Sequence, residues 1–178
     1  MGIHSKHILR CNGISHSELS YVAGFLDADG CVNAQIVPRQ DYMLKYQIRV
    51  SITFYQKSQR YWILQYLHKL LGIGSLRQRK DGMSEYSITN TKDVYAMCQL
   101  MMKHVKVKKP QCTLLSQILQ QRIKKNDVHQ FLQKCRLVDR FAALNDSKKR
   151  KIYTETVEKT LCSLGLYAIP VETINRTR

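Results

Sequence analysis

The first part of the chain predicts a helix followed by two strands. Ser17 or Ser20 is placed to cap a short helix that ends in the segment 27–30. Apolar residues then alternate with mostly polar ones over 32–37 and again over 47–54, which is the period of a strand with one buried face. The two alternating runs therefore predict a sheet that exposes a polar surface.

The same alternation returns after a second helix. Ser58 is placed to cap an amphipathic helix that Gly72 ends. Two further alternating runs, 75–79 and 84–88, flank a turn at 80–83 and predict a hairpin.

The rest of the chain predicts helices. Thr91 is placed to cap one helix, and a second runs from Pro110 to Ile123. A third begins at Asn126 and a last one at Thr154, both with apolar residues at helical spacing. Helices that follow an antiparallel sheet indicate an α+β domain with helices packed on one sheet face.

The polar face of the predicted sheet carries side chains suited to reading DNA bases. Arg pairs with guanine, and Asn or Gln pairs with adenine, in the major groove, where a two-stranded ribbon fits. An ordinary solvated sheet face is the alternative. The side chains concerned are Asn33, Gln35, Gln47, Arg49, Thr53, Arg77, Arg79 and Glu85.

The charge of the chain favours DNA over that alternative. The 178 residues include 29 Lys and Arg against 13 Asp and Glu, which gives a net charge of +16. A positive field of this size attracts polyanions, so nucleic acid is the expected partner. With 44% hydrophobic residues the composition is typical of a globular protein, and because no apolar run approaches a membrane span, no membrane partner is expected.

The cysteines and histidines give weak signals. Six cysteines are scattered and none forms a Cys-x-x-Cys pair, so neither a disulfide framework nor a zinc ribbon is expected. His4, His7, Cys11 and His16 are crowded enough to suggest a metal site, but they lack a second ligand pair. A flexible leader over 1–16 is the better interpretation.

The segment 21–30 carries the most specific signal. It reads Tyr-Val-Ala-Gly-Phe-Leu-Asp-Ala-Asp-Gly and resembles the LAGLIDADG motif of homing endonucleases, with both aspartates and the last glycine in place. From 17 to 164 the chain is similar to the single-motif, homodimeric subgroup of that family encoded in group I introns of green-algal chloroplast ribosomal RNA genes. We therefore expect an endonuclease domain at 17–166 and a tail at 167–178.

The resemblance implies an αββαββα fold, with a saddle-shaped antiparallel sheet in the major groove and extra C-terminal helices. One motif per chain implies a homodimer in which the motif helices of two copies pack together. Such packing explains Gly24, because a glycine in a helix interior costs roughly 1 kcal/mol relative to alanine. The implied interface residues are Tyr21, Ala23, Gly24 and Asp27, with Asp27 in a structural, hydrogen-bonding role.

The resemblance also implies metal-dependent chemistry. Two copies of Asp29 at the two-fold axis would repel by roughly 4 kcal/mol at about 4 Å in an effective dielectric of 20, and divalent cations remove that repulsion. Asp29 and the Ala28 carbonyl are the implied ligands of two or three Mg²⁺ ions per dimer, shared between subunits. Gln56, Arg60 and Lys108 match catalytic positions that order water and stabilise phosphate charge.

The positions that match DNA-contacting residues lie mainly on the strands and their turns. The base-facing ones are Asn33, Gln35, Arg39, Gln40, Tyr42, Gln47, Arg49, Thr53, Arg77, Arg79, Glu85 and Ser87. Ser147, Lys148 and Lys151 match backbone-contacting positions, which fix register rather than sequence. The hairpin at 80–82 is one residue longer than in the subgroup, and several base-facing residues differ, so altered target specificity is expected.

Together these features predict a Mg²⁺-dependent endonuclease that cuts a long pseudo-palindromic site in double-stranded DNA and promotes intron mobility, without a small-molecule substrate. An intron RNA maturase or a non-cutting DNA-binding protein of the same fold is the alternative. A basic structural protein is a third possibility, but it gives no reason for the Asp-x-Asp-Gly helix end. The expected compartment is an organelle, the chloroplast rather than the mitochondrion.

Overall fold

A computed structural model describes residues 13–124, 126–145 and 150–168 of the chain. The elements up to the end of the sheet are α1 (His16–Asp29), β1 (Gly30–Pro38), β2 (Tyr46–Lys57), α2 (Tyr61–Leu71), β3 (Ser75–Gln78) and β4 (Met83–Ile88). The helices that follow are α3 (Thr91–Met101), α4 (Lys109–Gln120), α5 (Val128–Asp139), α6 (Phe141–Leu144) and α7 (Thr154–Ser163). The predicted α+β class and αββαββα order are confirmed.

The four strands form one sheet in the order β1-β2-β4-β3. β4 lies between β2 and β3 and runs antiparallel to both, so that Tyr55 and Arg77 stand on either side of Glu85. Along β1 the side chains of Val32, Ala34 and Ile36 are buried and those between them are more exposed. The alternation in the sequence therefore does mark the buried and the polar face of the sheet.

The chain divides into two compact units. The first comprises the chain up to Ala34 together with Val50–Gln120. In this unit α2 packs on β3 and β4, and α3 packs on α4. Tyr86 is fully buried at the centre, where its ring stacks on Phe54 at 5.6 Å and its hydroxyl donates to the carbonyl of Ile73 at 2.7 Å.

The second unit comprises Gln35–Arg49 and the chain from Gln121 onward. Helix α5 packs on α6 and α7. The half-buried hydroxyls of Tyr46 and Thr160 share a hydrogen bond of 2.9 Å, which ties the start of β2 to α7. This unit therefore supports the outer ends of β1 and β2.

The first helix starts earlier than predicted. Neither Ser17 nor Ser20 caps α1; the cap is Ser15. The Ser15 hydroxyl accepts from the amide of Glu18 at 3.2 Å, and the Glu18 carboxylate accepts from the amide of Ser15 at 2.8 Å. This reciprocal capping box satisfies two unpaired amides, which a single serine further along cannot do.

Two other predicted caps are wrong as well. Ser58 lies in a 3₁₀ turn at Ser58–Arg60, and its hydroxyl hydrogen-bonds with that of Ser84 at 2.8 Å instead of capping α2. Asn90, not Thr91, caps α3, because its side-chain oxygen accepts from two amides of the first turn.

The helices around residue 125 also differ from the prediction. α4 ends at Gln120 rather than Ile123. Asp127 caps α5 by accepting from the amide of Gln130 at 2.9 Å, whereas Asn126 has a φ of 64° and stands before the helix. A left-handed backbone suits asparagine and excludes it from the helical turn.

The structure describes little of the two ends of the chain. The predicted leader and tail lie almost wholly outside the described residues, so their boundaries stay predictions. Among the helices that the structure describes, none is long and apolar enough to cross a membrane.

Candidate active site and DNA-facing residues

The C-terminal end of α1 places two carboxylates in different surroundings. Asp27 is half-buried, and its two oxygens accept from the main-chain amides of Lys106 at 2.7 Å and Lys108 at 2.8 Å. Asp29 is exposed, and its carboxylate makes no hydrogen bond or ion pair with the residues that the structure describes. The oxygens of Asp27 are therefore occupied by main-chain amides, whereas those of Asp29 are accessible to solvent.

The electrostatics of this helix end favour a cation. A helix C-terminus carries about half a unit of negative charge, and the last turn of α1 contains no basic residue to offset it. Asp27 and Asp29 add two carboxylates to the same end. Within the described part of the chain, however, no three His, Cys, Asp or Glu side chains come together as a metal site. At this helix end, Asp29 is therefore the accessible carboxylate and Asp27 the hydrogen-bonded one.

The loop after α3 brings Lys108 to this helix end. The main-chain amide of Lys108 donates to the Asp27 carboxylate. Its ammonium is close enough to the thiol of Cys31, two residues after Asp29, to affect the pKa of that thiol. Burial raises the pKa of Cys31, and the positive charge of Lys108 opposes that rise. The predicted catalytic lysine is thus near the beginning of β1.

Gln56 and Arg60, at the far end of β2, form a pair. The Gln56 side-chain oxygen accepts from Arg60 Nη1 at 3.4 Å and from the amide of Lys57 at 3.0 Å. Arg60 is exposed, so its other N–H groups face solvent. All of the predicted catalytic side chains belong to the first unit.

On the polar face of the first unit, several residues predicted to face bases are paired with one another. Arg77 forms an ion pair with Glu85, which stands opposite it, at 3.5 Å. Thr53 shares a hydrogen bond of 3.2 Å with Ser87 and is only 5% exposed. This burial argues against a direct base contact by Thr53, and Ser87 is the more accessible hydroxyl.

The structure adds two residues that the sequence reasoning missed on this face. Tyr55 is half-buried opposite Glu85, and its pKa is raised chiefly by burial. Asp81 pairs with Arg79 at 2.5 Å and accepts from the amide of Met83 at 3.2 Å. The alternation over 47–54 extends to Tyr55 and is a usable signal. Asp81 lies in the turn that the sequence predicts at 80–83, but its pairing with Arg79 has no signal in the sequence pattern.

The second unit holds the residues of the turn between β1 and β2 that are predicted to face bases. Arg39 Nε and Nη2 donate to the two oxygens of Asp41 at 2.9 and 2.7 Å, and Nη1 donates to the Gln47 side chain at 3.2 Å. The guanidinium lies over the Tyr42 ring, 4.7 Å from its centre. The hydrogen bonds from Arg39 lower the pKa of Asp41 to about 2.

The other predicted contact residues vary in accessibility. Gln35, Gln40 and Arg49 are exposed and Asn33 is half-buried. Lys151 is exposed, whereas Ser147 and Lys148 lie outside the described residues.

Some of the predicted interface residues are exposed and others are buried within their own chain. Tyr21 is 46% exposed, and a Cβ added at Gly24 would meet no atom within 4 Å. The sequence predicts a close approach of another helix at Gly24, and within the described part of one chain no helix approaches it. Ala23 is 1% exposed, so its side chain belongs to the core of its own chain.

Comparison with known proteins decides the family. A sequence profile described as LAGLIDADG endonuclease matches residues 22–110. The chain is 40% identical over 152 residues to DNA endonuclease I-CvuI of Chlorella vulgaris, an alignment that covers 84% of this chain and 94% of that protein. The chain belongs to the LAGLIDADG endonuclease family. A second LAGLIDADG relative, DNA endonuclease I-CreI of Chlamydomonas reinhardtii, is 39% identical over 148 residues, covering 83% of this chain and 90% of the relative.

Solved LAGLIDADG structures have the same fold. I-CvuI in complex with the I-CreI target in the presence of Mg, with the DNA not cleaved, aligns with a TM-score of 0.81 and 37% identity over 86% of this chain and 97% of that one. The archaeal intron-encoded homing endonuclease I-Vdi141I, complexed with DNA, aligns with a TM-score of 0.74 over 85% of this chain and 98% of that one. At 17% identity this second likeness shows the fold alone.

Proposed function

We propose that the chain is a site-specific homing endonuclease that hydrolyses phosphodiester bonds in double-stranded DNA with the help of divalent cations. The proposal depends most on Asp29, an exposed carboxylate without a partner among the described residues, at the end of the helix that carries the family motif. The relatives I-CvuI and I-CreI are named DNA endonucleases, and I-CvuI has been crystallised on DNA with Mg and with Ca.

The residues at the end of α1 fit a magnesium ion. Carboxylate and carbonyl oxygens are ligands that Mg²⁺ prefers, and the carbonyl of Ala28 is among the last of the helix, which have no partner within it. Asp29 and Ala28 would therefore hold the ion, whereas both oxygens of Asp27 already accept from amides. A bound Mg²⁺ supplies an activated water and neutralises charge at the phosphate. We propose two or three such ions per dimer.

Three further side chains would act on the phosphate and its water. Lys108 offers a positive charge near the start of β1. The Gln56 oxygen is occupied by Arg60, which leaves the Gln56 amide N–H groups to hold a water or a phosphate oxygen. Arg60 keeps exposed donors for the charge that develops on the leaving oxygen.

A homodimer would bring a second motif helix to the proposed metal site. Two chains would supply two copies of Asp29, and α1 has a surface suited to a second helix at Tyr21 and Gly24. On α2, Trp62 is 64% exposed and Tyr66 lies 6.4 Å from Tyr21. An exposed aromatic cluster of this kind is typical of a surface that another protein covers. Ala23 is buried in its own chain, but its small side chain adds little bulk to α1 next to Gly24.

The proposed target is a long pseudo-palindromic site read in the major groove, since a two-fold dimer reads two matching half-sites. Exposed Gln35 and Arg49 in the second unit, and Arg77 and Arg79 in the first, are proposed to contact base edges. A role in group I intron mobility and a location in the chloroplast are proposed from the resemblance to the chloroplast-intron subgroup.

A cleavage selection tests this function. The wild-type protein is incubated with a randomised double-stranded DNA library and Mg²⁺, and cut molecules are sequenced. We expect one related set of pseudo-palindromic sites. Asp29→Asn should abolish cutting of the selected site and keep binding, because the variant loses a charged metal ligand but no DNA contact.

Glu155→Gln is the matched control, because it removes one exposed carboxylate of α7 and should cut like wild type. Full cutting by Asp29→Asn would overturn the metal assignment. Wild-type protein that selects bound sites but cuts none would instead be a non-cutting binder or maturase.

A further inference from the structure

The turn between β1 and β2 fixes the position of Arg39 in the DNA-free chain. Asp41 holds one edge of the guanidinium with two hydrogen bonds, and Gln47 holds Nη1. The Tyr42 ring supports one face of the group at 4.7 Å. An exposed arginine without such contacts would sample many rotamers.

The turn itself is closed by hydrogen bonds. The amide of Arg39 donates to the carbonyl of Lys45 at 2.8 Å, and the amide of Tyr42 donates to the carbonyl of Arg39 at 3.1 Å. The Lys45 ammonium donates to the carbonyl of Gln40 at 3.0 Å. Asp41 is therefore anchored on a backbone that holds its carboxylate beside Arg39.

The paired guanidinium still has the donors that a base needs. Arginine carries five N–H groups. Asp41 takes the one on Nε and one on Nη2, and Gln47 takes one on Nη1, which leaves one N–H on each terminal nitrogen. Guanine O6 and N7 accept two N–H groups from one arginine. Asp41 thus orients the Arg39 guanidinium and leaves two of its N–H donors available for a base.

The charge of Asp41 affects DNA binding in two opposite ways. The carboxylate is 62% exposed, and its negative charge in a DNA-facing turn weakens attraction to phosphates. The ion pair lowers the pKa of Asp41 to about 2, so this charge persists at any physiological pH. In return, binding does not have to order the long Arg39 side chain, an ordering step that weakens affinity by about 2- to 12-fold.

We propose that Asp41 is a positioning residue that sets the base specificity of Arg39 for guanine. The proposal rests on the DNA-reading function proposed above and extends it to a residue that does not itself contact a base. Gln47 and Tyr42 complete the support of Arg39, and Asp41 is the only one of the three that carries a charge.

A double-mutant cycle on the full chain tests this role. Wild type, Asp41→Asn, Arg39→Ala and the double variant are each equilibrated with a half-site library with Ca²⁺ in place of Mg²⁺, and base preferences are obtained by sequencing the bound DNA. Arg39→Ala should remove a guanine preference of about 5- to 150-fold at one base pair. Asp41→Asn should reduce that same preference by about 2- to 12-fold, and the double variant should match Arg39→Ala.

Asp81→Asn is the control for charge. It removes the same charge beside Arg79 in the other hairpin and should raise general DNA affinity as much as Asp41→Asn does. It should leave the guanine preference at the base pair read by Arg39 unchanged. Thermal unfolding of each variant verifies that these exposed changes leave the fold intact.

Two results would overturn the positioning role. One is an Asp41→Asn protein with the wild-type preference at the Arg39 base pair. The other is a double variant that loses more preference than Arg39→Ala, which would mean that Asp41 contacts a base itself. A wild-type protein without preference at any base pair would overturn the DNA-reading function and this role with it.

Discussion

At the scale of single residues, Asp27 and Asp29 show how surroundings separate two identical side chains. Both belong to one short motif that sequence analysis identifies. The partners of Asp27 are amides 79 and 81 residues away, a distance over which no sequence spacing predicts a contact. The motif could therefore be predicted from sequence, and the attachment of the Lys108 loop to it could not.

Asp27→Asn should lower the free energy of unfolding by about 1–3 kcal/mol. The new amide group has one acceptor oxygen, so its NH₂ would face the amide of Lys106 or Lys108 and leave a donor unpaired. Urea denaturation followed by circular dichroism measures the change. Asp29→Asn is the matched comparison and should be neutral or slightly stabilising, because it relieves repulsion with the helix C-terminus. Equal destabilisation by both variants would contradict the assigned roles.

At the scale of elements, hydrophobic periodicity predicted the strands and helices, and the polar caps were less predictable. The alternation in β1 and β2 reflects burial of one sheet face, which many residues enforce together. A cap depends on one or two hydrogen bonds, and several serines and asparagines near each helix start compete for the role. At α1 the glutamate at the third helical position decided between them, and this Ser-x-x-Glu spacing was visible in the sequence.

Ser15→Ala should destabilise the protein by about 1 kcal/mol, because the amide of Glu18 in the first turn of α1 loses the hydroxyl that accepts from it. Ser20→Ala should have little effect, since Ser20 lies inside the helix, where alanine is the better helix former. Thermal or urea unfolding of both variants measures the difference. A larger loss for Ser20→Ala would contradict the assignment of Ser15 as the cap of α1.

At the scale of the whole molecule, the charge of the chain predicted the kind of partner better than the sequence predicted the contacts of single residues. The net charge of +16 indicated a polyanion before any element was assigned. The side chains proposed to read bases were less predictable, because Thr53 and Arg39 each form a hydrogen bond with a residue of a different strand. Pairings of this kind depend on sheet register, which a sequence alone leaves open.

Gly24→Leu should convert the proposed dimer to a monomer and abolish cleavage, because a large side chain would stand where the second motif helix approaches. Analytical ultracentrifugation without DNA measures the mass. Gln133→Leu, an equally exposed position on α5, is the control and should leave the dimer intact. A wild-type protein that cuts both strands as a monomer would contradict the shared site.

The two hairpin turns of the sheet repeat one arrangement, an arginine followed two positions later by the aspartate that holds it, at Arg39 with Asp41 and at Arg79 with Asp81. Replacing either arginine alone would leave a carboxylate facing the phosphates without its counter-charge. If these arginines read bases as proposed, a change of target is therefore easiest when both members of a pair change together. Libraries that vary each pair as a unit should retarget the protein more readily than libraries that vary the arginines alone.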